Sequence, residues 1–244
     1  MRIAIVSDIH ANYVALETVL AVAGSFDQLW NLGDTIGYGP QPNECMADMQ
    51  RLATMMIAGN HDLACIGKVD LSDFNPDARQ ANLWNGQQLQ DAYREVLAGL
   101  PPSCAIDERF LVAHGSPREP VWEYLLTSNQ ARENFTCFSN QVCLIGHSHI
   151  PLVFRLYPDG RCDGPTHIRA GETLTIEDGV RYFFNPGSVG QPRDQDPRAA
   201  YAVLDSDSGS LRFNRVEYDV ARTQRQMRDA QLPAALIRRL TYGA

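Results

Sequence analysis

The feature that most constrains this chain is an apolar run that ends abruptly in residue types able to bind metals. Residues 3–6 are apolar and mostly β-branched, which predicts a buried strand, and Asp8 and His10 follow directly. In an open α/β sheet, ligands bind at the carboxyl ends of the strands, because the crossover connections leave a crevice there. Four later segments end in the same way. We therefore expect the chain to fold around one site.

The first part of the chain alternates between strand and helix periodicity. Apolar residues at helical spacing predict a helix over 12–24, and a second helix is predicted over 42–52. Strands are predicted near 28–32 and over 54–58. This βαβαβ order is typical of a parallel sheet with crossover helices.

Residues 63–100 interrupt this order with polar sequence that is rich in Asn and Gln. The segment predicts an inserted helical cap, with a helix that includes 77–98. Trp84 and Tyr93 lie within it, and either ring could stack on the base of a substrate. Packing of the cap against the body of the protein is the simpler interpretation of both.

The second half of the chain predicts short strands separated by turns. A hairpin is predicted over 104–113, and an apolar strand over 142–145. Further strands are predicted over 152–157, 173–176, 180–184, 200–204 and 211–216. Consecutive strands without crossover helices indicate an antiparallel second sheet. A final amphipathic helix is expected over 220–240, interrupted at Pro233, and the whole chain, 1–244, is expected to be a single domain.

Composition and charge argue against several classes of protein. The 21 basic and 29 acidic residues give a net charge of −8, which disfavours binding to long nucleic acid or to an anionic membrane. No apolar run approaches the ~20 residues that span a bilayer and no cationic, apolar leader opens the chain, so we expect a cytoplasmic protein. The six cysteines form no C-x-x-C pair and are expected to be reduced thiols.

The polar strand ends contribute a set of candidate metal ligands made of oxygens and imidazoles, without a thiolate. These are Asp8, His10, Asp34, Asn60, His114, His147 and His149. Such a set suits divalent Mn, Fe or Zn, with Mn favoured, rather than a structural thiolate zinc site. Seven side chains exceed what one ion needs, so two divalent metal ions are expected. Asp34 is the best candidate to bridge them, because it lies on a central Gly-rich turn.

The motifs D-x-H, G-D, G-N-H-D, H-G and G-H-x-H, in this order, resemble those of the calcineurin-like metallophosphoesterase superfamily. The resemblance implies a four-layer α/β/β/α sandwich of two mixed sheets, with a dinuclear metal centre between the sheets. It also implies that Asp34 bridges the two ions. Asp8, His10 and His149 would bind one ion, and Asn60, His114 and His147 the other.

Other polar residues near these motifs are candidates to contact the substrate. Asn60 and His61 are expected to contact its phosphate, and His61 is the best candidate to protonate the leaving oxygen. Asp62 is expected to orient His61, to cap a helix or to be a simple surface carboxylate. Arg118 and Arg193 are each expected either to clamp phosphate or to form a surface ion pair.

Segments 37–40, 114–118 and 185–193 resemble a prokaryotic subgroup of small phosphodiesterase-like proteins, some of which are described as diadenosine tetraphosphatase-like. The expected function is metal-dependent hydrolysis of a small nucleotide-like or cyclic phosphodiester. One alternative is a phosphomonoesterase or phosphoprotein phosphatase. Another is a non-catalytic metal-binding interaction scaffold, although that would predict degraded ligand motifs. The sequence does not indicate an oligomeric state.

Overall fold

The predicted alternation of strands and helices is largely confirmed by the computed structural model, which describes residues 1–244. The strands are β1 (Arg2–Val6), β2 (Gln28–Asn31), β3 (Met55–Met56), β4 (Ser103–Ala105), β5 (Phe110–Ala113), β6 (Val142–Ile145), β7 (Leu152–Leu156), β8 (Cys162–His167), β9 (Thr173–Thr175), β10 (Arg181–Asn185), β11 (Ala199–Asp205) and β12 (Ser210–Val216). The helices are α1 (Tyr13–Val22), α2 (Pro42–Leu52), α3 (Asn60–Cys65), α4 (Pro76–Gln88), α5 (Asp91–Gly99), α6 (Ser128–Asn134), α7 (Val220–Asp229) and α8 (Ala234–Arg239).

The strands form two six-stranded sheets, in the orders β3-β2-β1-β11-β12-β9 and β4-β5-β6-β10-β7-β8. Strand β1 pairs parallel with β2 and antiparallel with β11, while β10 pairs parallel with β6 and antiparallel with β7. Both sheets are therefore mixed, as the family resemblance predicts. The separate antiparallel sheet expected from the late strands is wrong, because those strands extend the open edges of β1 and β6 instead of pairing only among themselves.

Two strands differ from the prediction, and the difference at β8 has a simple physical cause. Strand β3 is only two residues long and shorter than predicted. Strand β8 was not predicted, because its sequence contains Gly164 and Pro165 and lacks alternating apolar residues. It nevertheless forms an outer strand, paired only with β7, where the missing N–H of a proline is tolerated.

The main core lies between the two sheets. A cluster of 19 buried residues includes Ile5 and Trp30 from one sheet and Leu144 and Phe184 from the other. Burying each such side chain fully stabilises the fold by about 1.5–3 kcal/mol. Helices α1 and α2 cover the outer face of the first sheet, and α6 packs on the outer face of the second. The result is the four-layer α/β/β/α arrangement.

The segment 63–100 is helical, as predicted, but it does not contain one continuous helix. Leu89 and Gln90 adopt extended backbone conformations and separate α4 from α5. Trp84 packs on a cluster that includes Met227 of α7, which confirms packing as the simpler interpretation of this residue.

The C-terminal region folds as two short helices, α7 and α8, with Pro233 immediately before α8, as predicted. Asp219 caps α7 by accepting a hydrogen bond from the Arg222 N–H at 2.8 Å. The helices pack on each other and on the segment containing α4. No helix in the structure combines the length and apolar character needed to cross a membrane.

Candidate metal centre

The predicted metal ligands lie on loops whose backbone is strained. Five of them have left-handed backbone conformations: Asp8 (φ 52°), His10 (φ 50°), Asp34 (φ 52°), His147 (φ 63°) and His149 (φ 62°). For residues other than glycine, such a conformation costs about 1–2 kcal/mol each. It persists only where the surrounding structure enforces it, and it concentrates at functional sites. The strain therefore supports a functional role for these loops.

Hydrogen bonds between the loops hold this backbone in place. The Asp8 N–H donates to the Gly33 carbonyl at 3.0 Å, and the His10 N–H donates to the Asp34 carbonyl at 2.9 Å. These bonds join the loop after β1 to the loop after β2. The His147 N–H donates to the Asp8 carboxylate at 3.2 Å, which joins the two sheets at the site.

The first ligand group consists of Asp8, His10, Asp34 and His149, which the structure brings together as predicted. The Nε2 atoms of His10 and His149 face each other at 3.0 Å, and the Asp8 Oδ1 lies 3.3 Å from the His149 Nε2. The His149 Nδ1 lies 2.5 Å from the Gln191 carbonyl, so this nitrogen carries the proton and Nε2 presents a lone pair. Nitrogen atoms facing each other beside carboxylates fit a shared cation.

The second ligand group contains Asp34, His114 and His147, and Asn60 adjoins it. The His114 Nε2 lies 3.3 Å from the Asp34 Oδ2 and 3.2 Å from the Asn60 Oδ1. Its Nδ1 donates to the Leu32 carbonyl at 2.9 Å, which directs Nε2 toward these oxygens. All seven predicted ligands are thus brought together, and none is more than 4% exposed.

Asp34 belongs to both ligand groups, as predicted for a bridging residue. Its Oδ1 accepts a hydrogen bond from the His61 N–H at 2.8 Å, whereas its Oδ2 is buried without a hydrogen-bond partner. A Cβ at Gly59 would lie only 2.0 Å from the Asp34 Oδ1, so only glycine fits there. The nearest histidine nitrogen, the His114 Nε2, lies 3.3 Å from this oxygen and outside good hydrogen-bond geometry, and a metal ion would satisfy the buried carboxylate more fully. The residues present therefore fit a metal site.

The buried histidines differ in their proton affinity. Burial lowers the pKa of His10 and His149 well below the usual value and lowers that of His147 to about 3. Burial acts in the same direction on His114, but the adjacent Asp34 carboxylate outweighs it and raises the pKa of His114 to about 9. Three of the four imidazoles are therefore already in the neutral form that binds metals, and His114 must lose a proton to join them.

His61 lies beside the ligands in an aromatic environment. Its ring packs against Tyr38 and Phe74, with ring centroids 4.2 Å and 4.9 Å away. Its Nδ1 lies 2.8 Å from the Asn82 Oδ1, which fixes the orientation of the ring. Burial lowers the pKa of His61 to about 4, so the ring is neutral near pH 7.

Asn82 is a site residue that the sequence analysis missed. It lies on α4, one turn before Asn85, and both are fully buried. Asn85 donates to the Gly39 carbonyl at 3.0 Å and accepts from the Gly37 N–H at 3.1 Å. The insertion therefore holds both His61 and the Gly-rich turn. The signal in the sequence was a pair of asparagines on the same face as the alanines of α4.

Asp62 does not contact the His61 ring, so the predicted orienting role belongs to Asn82 instead. The Asp62 carboxylate accepts hydrogen bonds from the Gly59 N–H and the Ile36 N–H, both at 3.0 Å. It thereby caps α3, as one of the alternatives predicts, and ties this helix to the turn after β2, while its complete burial excludes a surface carboxylate.

The two predicted arginines occupy different environments. Arg118 forms ion pairs with Glu123 and Glu133 at the surface, which is the alternative role that the sequence predicts for it, and its role as a phosphate clamp stays a prediction. Arg193 is partly buried beside the ligands, where its guanidinium donates to the Tyr38 hydroxyl at 3.4 Å. It forms no ion pair with any carboxylate, and its Nε is buried without a partner.

The site is closely covered. A cavity of about 10 Å³ lies next to His10, bounded by Tyr38, Gln191 and Leu240, which is room for one water. Larger cavities of about 800 and 580 Å³ lie away from the ligands. Tyr124 stacks on His147 with ring centroids 4.0 Å apart. Only a small group can approach the ligands without movement of this cover.

Comparison with known proteins shows similarity well beyond the candidate metal ligands. The model of the calcineurin-like phosphoesterase superfamily domain matches residues 1–209, which include all seven candidate ligands. The crystal structure of a metallophosphoesterase from Sphaerobacter thermophilus is similar, with a TM-score of 0.90 and 46% sequence identity over 100% of this chain and 99% of the other.

Two further proteins are similar to this chain over nearly its whole length. An uncharacterized protein of Methanocaldococcus jannaschii is 33% identical over 249 residues, covering 99% of this chain and 98% of the relative. A crystal structure from Pyrococcus horikoshii OT3 has a TM-score of 0.79 at 18% identity, over 100% of this chain and 98% of the other, which is a likeness of fold alone. Helices α7 and α8 lie outside the residues that the family model matches.

Proposed function

Because this chain belongs to the calcineurin-like phosphoesterase superfamily, we propose that it is a metal-dependent phosphodiesterase that hydrolyses a small nucleotide-like or cyclic phosphate ester. The observation that carries the proposal is the pair of ligand groups that share Asp34, whose Oδ2 is buried without a partner. One carboxylate common to two groups of ligands is the arrangement expected of a dinuclear centre.

The two ions would be held as the family resemblance implies. Asp8, His10 and His149 would hold the first ion, Asn60, His114 and His147 the second, and Asp34 both. Divalent ions in such a centre lower the pKa of bound water and neutralise charge on phosphoryl oxygens. Donors that are oxygens and imidazoles without thiolates suit Mn, Fe or Zn, and we propose Mn²⁺ among them.

Arg193 supplies the positive charge that this chain itself offers to the phosphate. It is partly buried, lies beside the ligands and has no carboxylate partner, so its guanidinium is available for an anion. A guanidinium can form two parallel hydrogen bonds with phosphate oxygens. We assign Arg193 to binding of the phosphate.

His61 is placed to act on the leaving oxygen. Because its Nδ1 faces Asn82, its Nε2 is the ring atom left to exchange a proton with the substrate. Burial keeps the ring neutral in the bare protein, and a phosphate anion nearby would raise its pKa. We therefore assign His61 to hydrogen-bond the phosphate and to deliver a proton to the leaving oxygen.

The covered site favours a small substrate over a phosphoprotein. The seven ligands are at most 4% exposed, whereas a phosphoprotein phosphatase must admit a side chain attached to a folded or extended chain. A non-catalytic scaffold is disfavoured because the ligand set is complete and its loops retain the strained backbone. The reducing cytoplasm is the compartment we propose, because all six cysteines are free thiols.

Hydrolysis of bis-p-nitrophenyl phosphate and of p-nitrophenyl phosphate tests the proposal. Protein freed of metal by chelation is assayed before and after addition of Mn²⁺, Fe²⁺ or Zn²⁺. We expect metal-dependent turnover that is faster with the diester and is lost in His61→Ala but kept in Arg118→Gln. Faster turnover of the monoester would contradict the assignment as a phosphodiesterase. No turnover of either compound with any metal would contradict the assignment as a phosphoesterase.

A further inference from the structure

Residues 115–126, which lie between the ligand His114 and helix α6, pass over the ligand His147 and contact it twice. We call them the covering segment. The carbonyl oxygen of Trp122 lies 3.2 Å from the His147 Nε2. The ring of Tyr124 stacks on the His147 ring, with centroids 4.0 Å apart and planes inclined by 26°. The covering segment therefore contacts one candidate metal ligand through both its backbone and a side chain.

The contact with the Trp122 carbonyl determines which nitrogen of His147 can bind an ion. An imidazole that binds a metal is neutral and carries a single N–H, on the nitrogen that does not bind the ion. A carbonyl oxygen accepts a hydrogen bond but cannot donate one, so the nitrogen that faces Trp122 carries this proton. The Nδ1 atom of His147 is then left with the lone pair that a metal ion needs. If the ring turned over, the two nitrogens would exchange places and the N–H would no longer face its acceptor.

The covering segment contains no helix or strand, so its shape depends on hydrogen bonds made by its side chains. Glu123 lies between the two residues that contact His147, and its side chain is 12% exposed. The Glu123 Oε2 accepts hydrogen bonds from the Ser116 hydroxyl at 2.5 Å and from the Asn134 amide at 3.0 Å. Arg118 adds an ion pair with the same carboxylate from the surface. Asn134 belongs to α6 and is fully buried, so Glu123 anchors the covering segment to this helix.

Glu123 is a strong anchor because its carboxylate is charged. Burial acts to raise the pKa of Glu123, but hydrogen bonds from Arg118, Ser116 and Asn134 outweigh burial and lower it. A charged acceptor forms stronger hydrogen bonds than a neutral one. Without the carboxylate, the Ser116 hydroxyl and the Asn134 amide would lose this acceptor, and the covering segment would lose its anchor to α6.

We propose that Glu123 is a positioning residue for the second ion, because it keeps the Trp122 carbonyl on His147 and thereby keeps the His147 Nδ1 toward the ion. The stacked ring of Tyr124 supports the same orientation. This inference rests on the proposed function, which assigns His147 to that ion. Glu123 forms no hydrogen bond with any of the seven ligands, so it acts on the ion only through the covering segment.

Nitrogen NMR of the metal-free protein, with isotope-labelled histidine, tests the orientation of His147 without any need for turnover. The His147 signals are assigned by their loss in His147→Asn. We expect the proton of His147 on Nε2 in the wild type and a mixture of the two tautomers in Glu123→Ala, because the Trp122 carbonyl is no longer held in place. A proton on Nδ1 in the wild type would overturn the proposal. So would an unchanged tautomer in Glu123→Ala.

Calorimetric titration of Mn²⁺ into the chelated protein tests the consequence for metal binding. Glu123→Ala should weaken binding of the second ion by about 10–100-fold, the usual effect of losing an outer partner of a ligating histidine, and should leave the first ion unchanged. Glu133→Ala is the matched control, because Glu133 also pairs with Arg118 and carries the same charge but is 61% exposed. Equal weakening by the two variants, or equal weakening of both ions, would overturn the proposal.

Tyr124→Ala keeps the test decisive if circular dichroism and thermal unfolding show that Glu123→Ala is not folded. Tyr124 is 42% exposed, so the fold should tolerate this change, which removes the ring stacked on His147. We expect the second ion to bind about 2–10-fold more weakly and the first to bind as in the wild type. With Glu123→Ala unfolded, unchanged affinity for both ions in Tyr124→Ala would overturn the proposal.

The assay with bis-p-nitrophenyl phosphate separates failure of this inference from failure of the proposed function. If the chain binds two ions and hydrolyses that diester, but neither the His147 tautomer nor the second ion depends on Glu123, the positioning role is rejected and the phosphodiesterase stands. If the tautomer and the affinity for the second ion depend on Glu123 but no metal supports hydrolysis, the positioning role is supported and the phosphoesterase is rejected.

Discussion

The loops at the strand ends and the helices at the periphery contribute to the same site in different ways. The strand ends supply the seven candidate metal ligands, five of them on strained backbone, and hydrogen bonds between the loops, including one between the two sheets, hold them in place. The helices supply single polar side chains, Asn82 from α4 and Arg239 from α8, which contact His61 and Gln191 rather than the ligands.

We expect this difference to separate the chemistry from the choice of substrate. Ligands at the strand ends are fixed by the sheets, so a change there should remove the proposed reaction itself. Side chains on the peripheral helices orient or extend the site, so changes there should alter rate or preference by smaller factors. The predictions below test this order.

The largest effect is expected at the residue shared by the two ligand groups. Asp34→Asn keeps the shape of the side chain but removes its charge, so it should weaken metal binding and lower kcat with bis-p-nitrophenyl phosphate by about a thousandfold or more. Turnover and metal content are measured on the same preparation, and thermal unfolding shows whether the variant is folded. Activity within tenfold of the wild type would show that Asp34 is no bridge.

A somewhat smaller effect is expected at His61, which we place on the substrate rather than on the metals. His61→Ala should lower kcat by about 10²–10⁴-fold, the usual contribution of a positioned general acid. Metal content should stay at the wild-type value, unlike that of Asp34→Asn. Loss of metal from His61→Ala would mean that its role is structural.

A smaller effect still is expected at Asn82, which acts through His61. Asn82→Ala removes the acceptor of the Nδ1 proton and should lower kcat about 10–100-fold. Added to His61→Ala, the same change should have little further effect, because the two residues act as a unit. Gln87→Ala, on the exposed side of α4, is the control. Additive effects in the double variant would refute the coupling.

The smallest effect is expected at Arg118, which lies in a motif segment but forms a surface ion pair. Arg118→Gln should change kcat/KM by less than about twofold, because exposed ion pairs contribute little and the guanidinium does not face the site. A steady-state comparison with Arg193→Gln, in which KM should rise, makes the contrast direct. Equal losses in the two variants would restore Arg118 as a phosphate ligand.

The sequence predicts the strand-end site better than its surroundings for a physical reason. Each ligand follows a local apolar run, so the sheet brings distant motifs such as Asp8 and His149 together once the strands are recognised. Asn82 and Arg239 have no such local signal, since their contacts depend on how helices pack. The late strands are also difficult to place, because the alternation of apolar and polar residues predicts a strand but not which of the two sheets it joins.

The roles of residues next to a motif were also harder to predict than the ligands. Asp62 follows His61 in the sequence, yet the first turn of α3 directs its carboxylate toward backbone N–H groups. Arg118 follows His114 closely, yet Glu123 and Glu133 are nearer partners than any ligand. Proximity in sequence does not determine direction once a helix or turn begins.

The number of divalent ions bound per chain tests the central claim most directly. Chelated protein is dialysed against Mn²⁺, and bound metal is measured by elemental analysis, with Asp34→Asn in parallel. We predict two ions per chain in the wild type, with magnetic coupling between them in the electron paramagnetic resonance spectrum, and fewer in the variant. One ion per chain at saturation, or two uncoupled ions unaffected by Asp34→Asn, would contradict a dinuclear centre bridged by this residue.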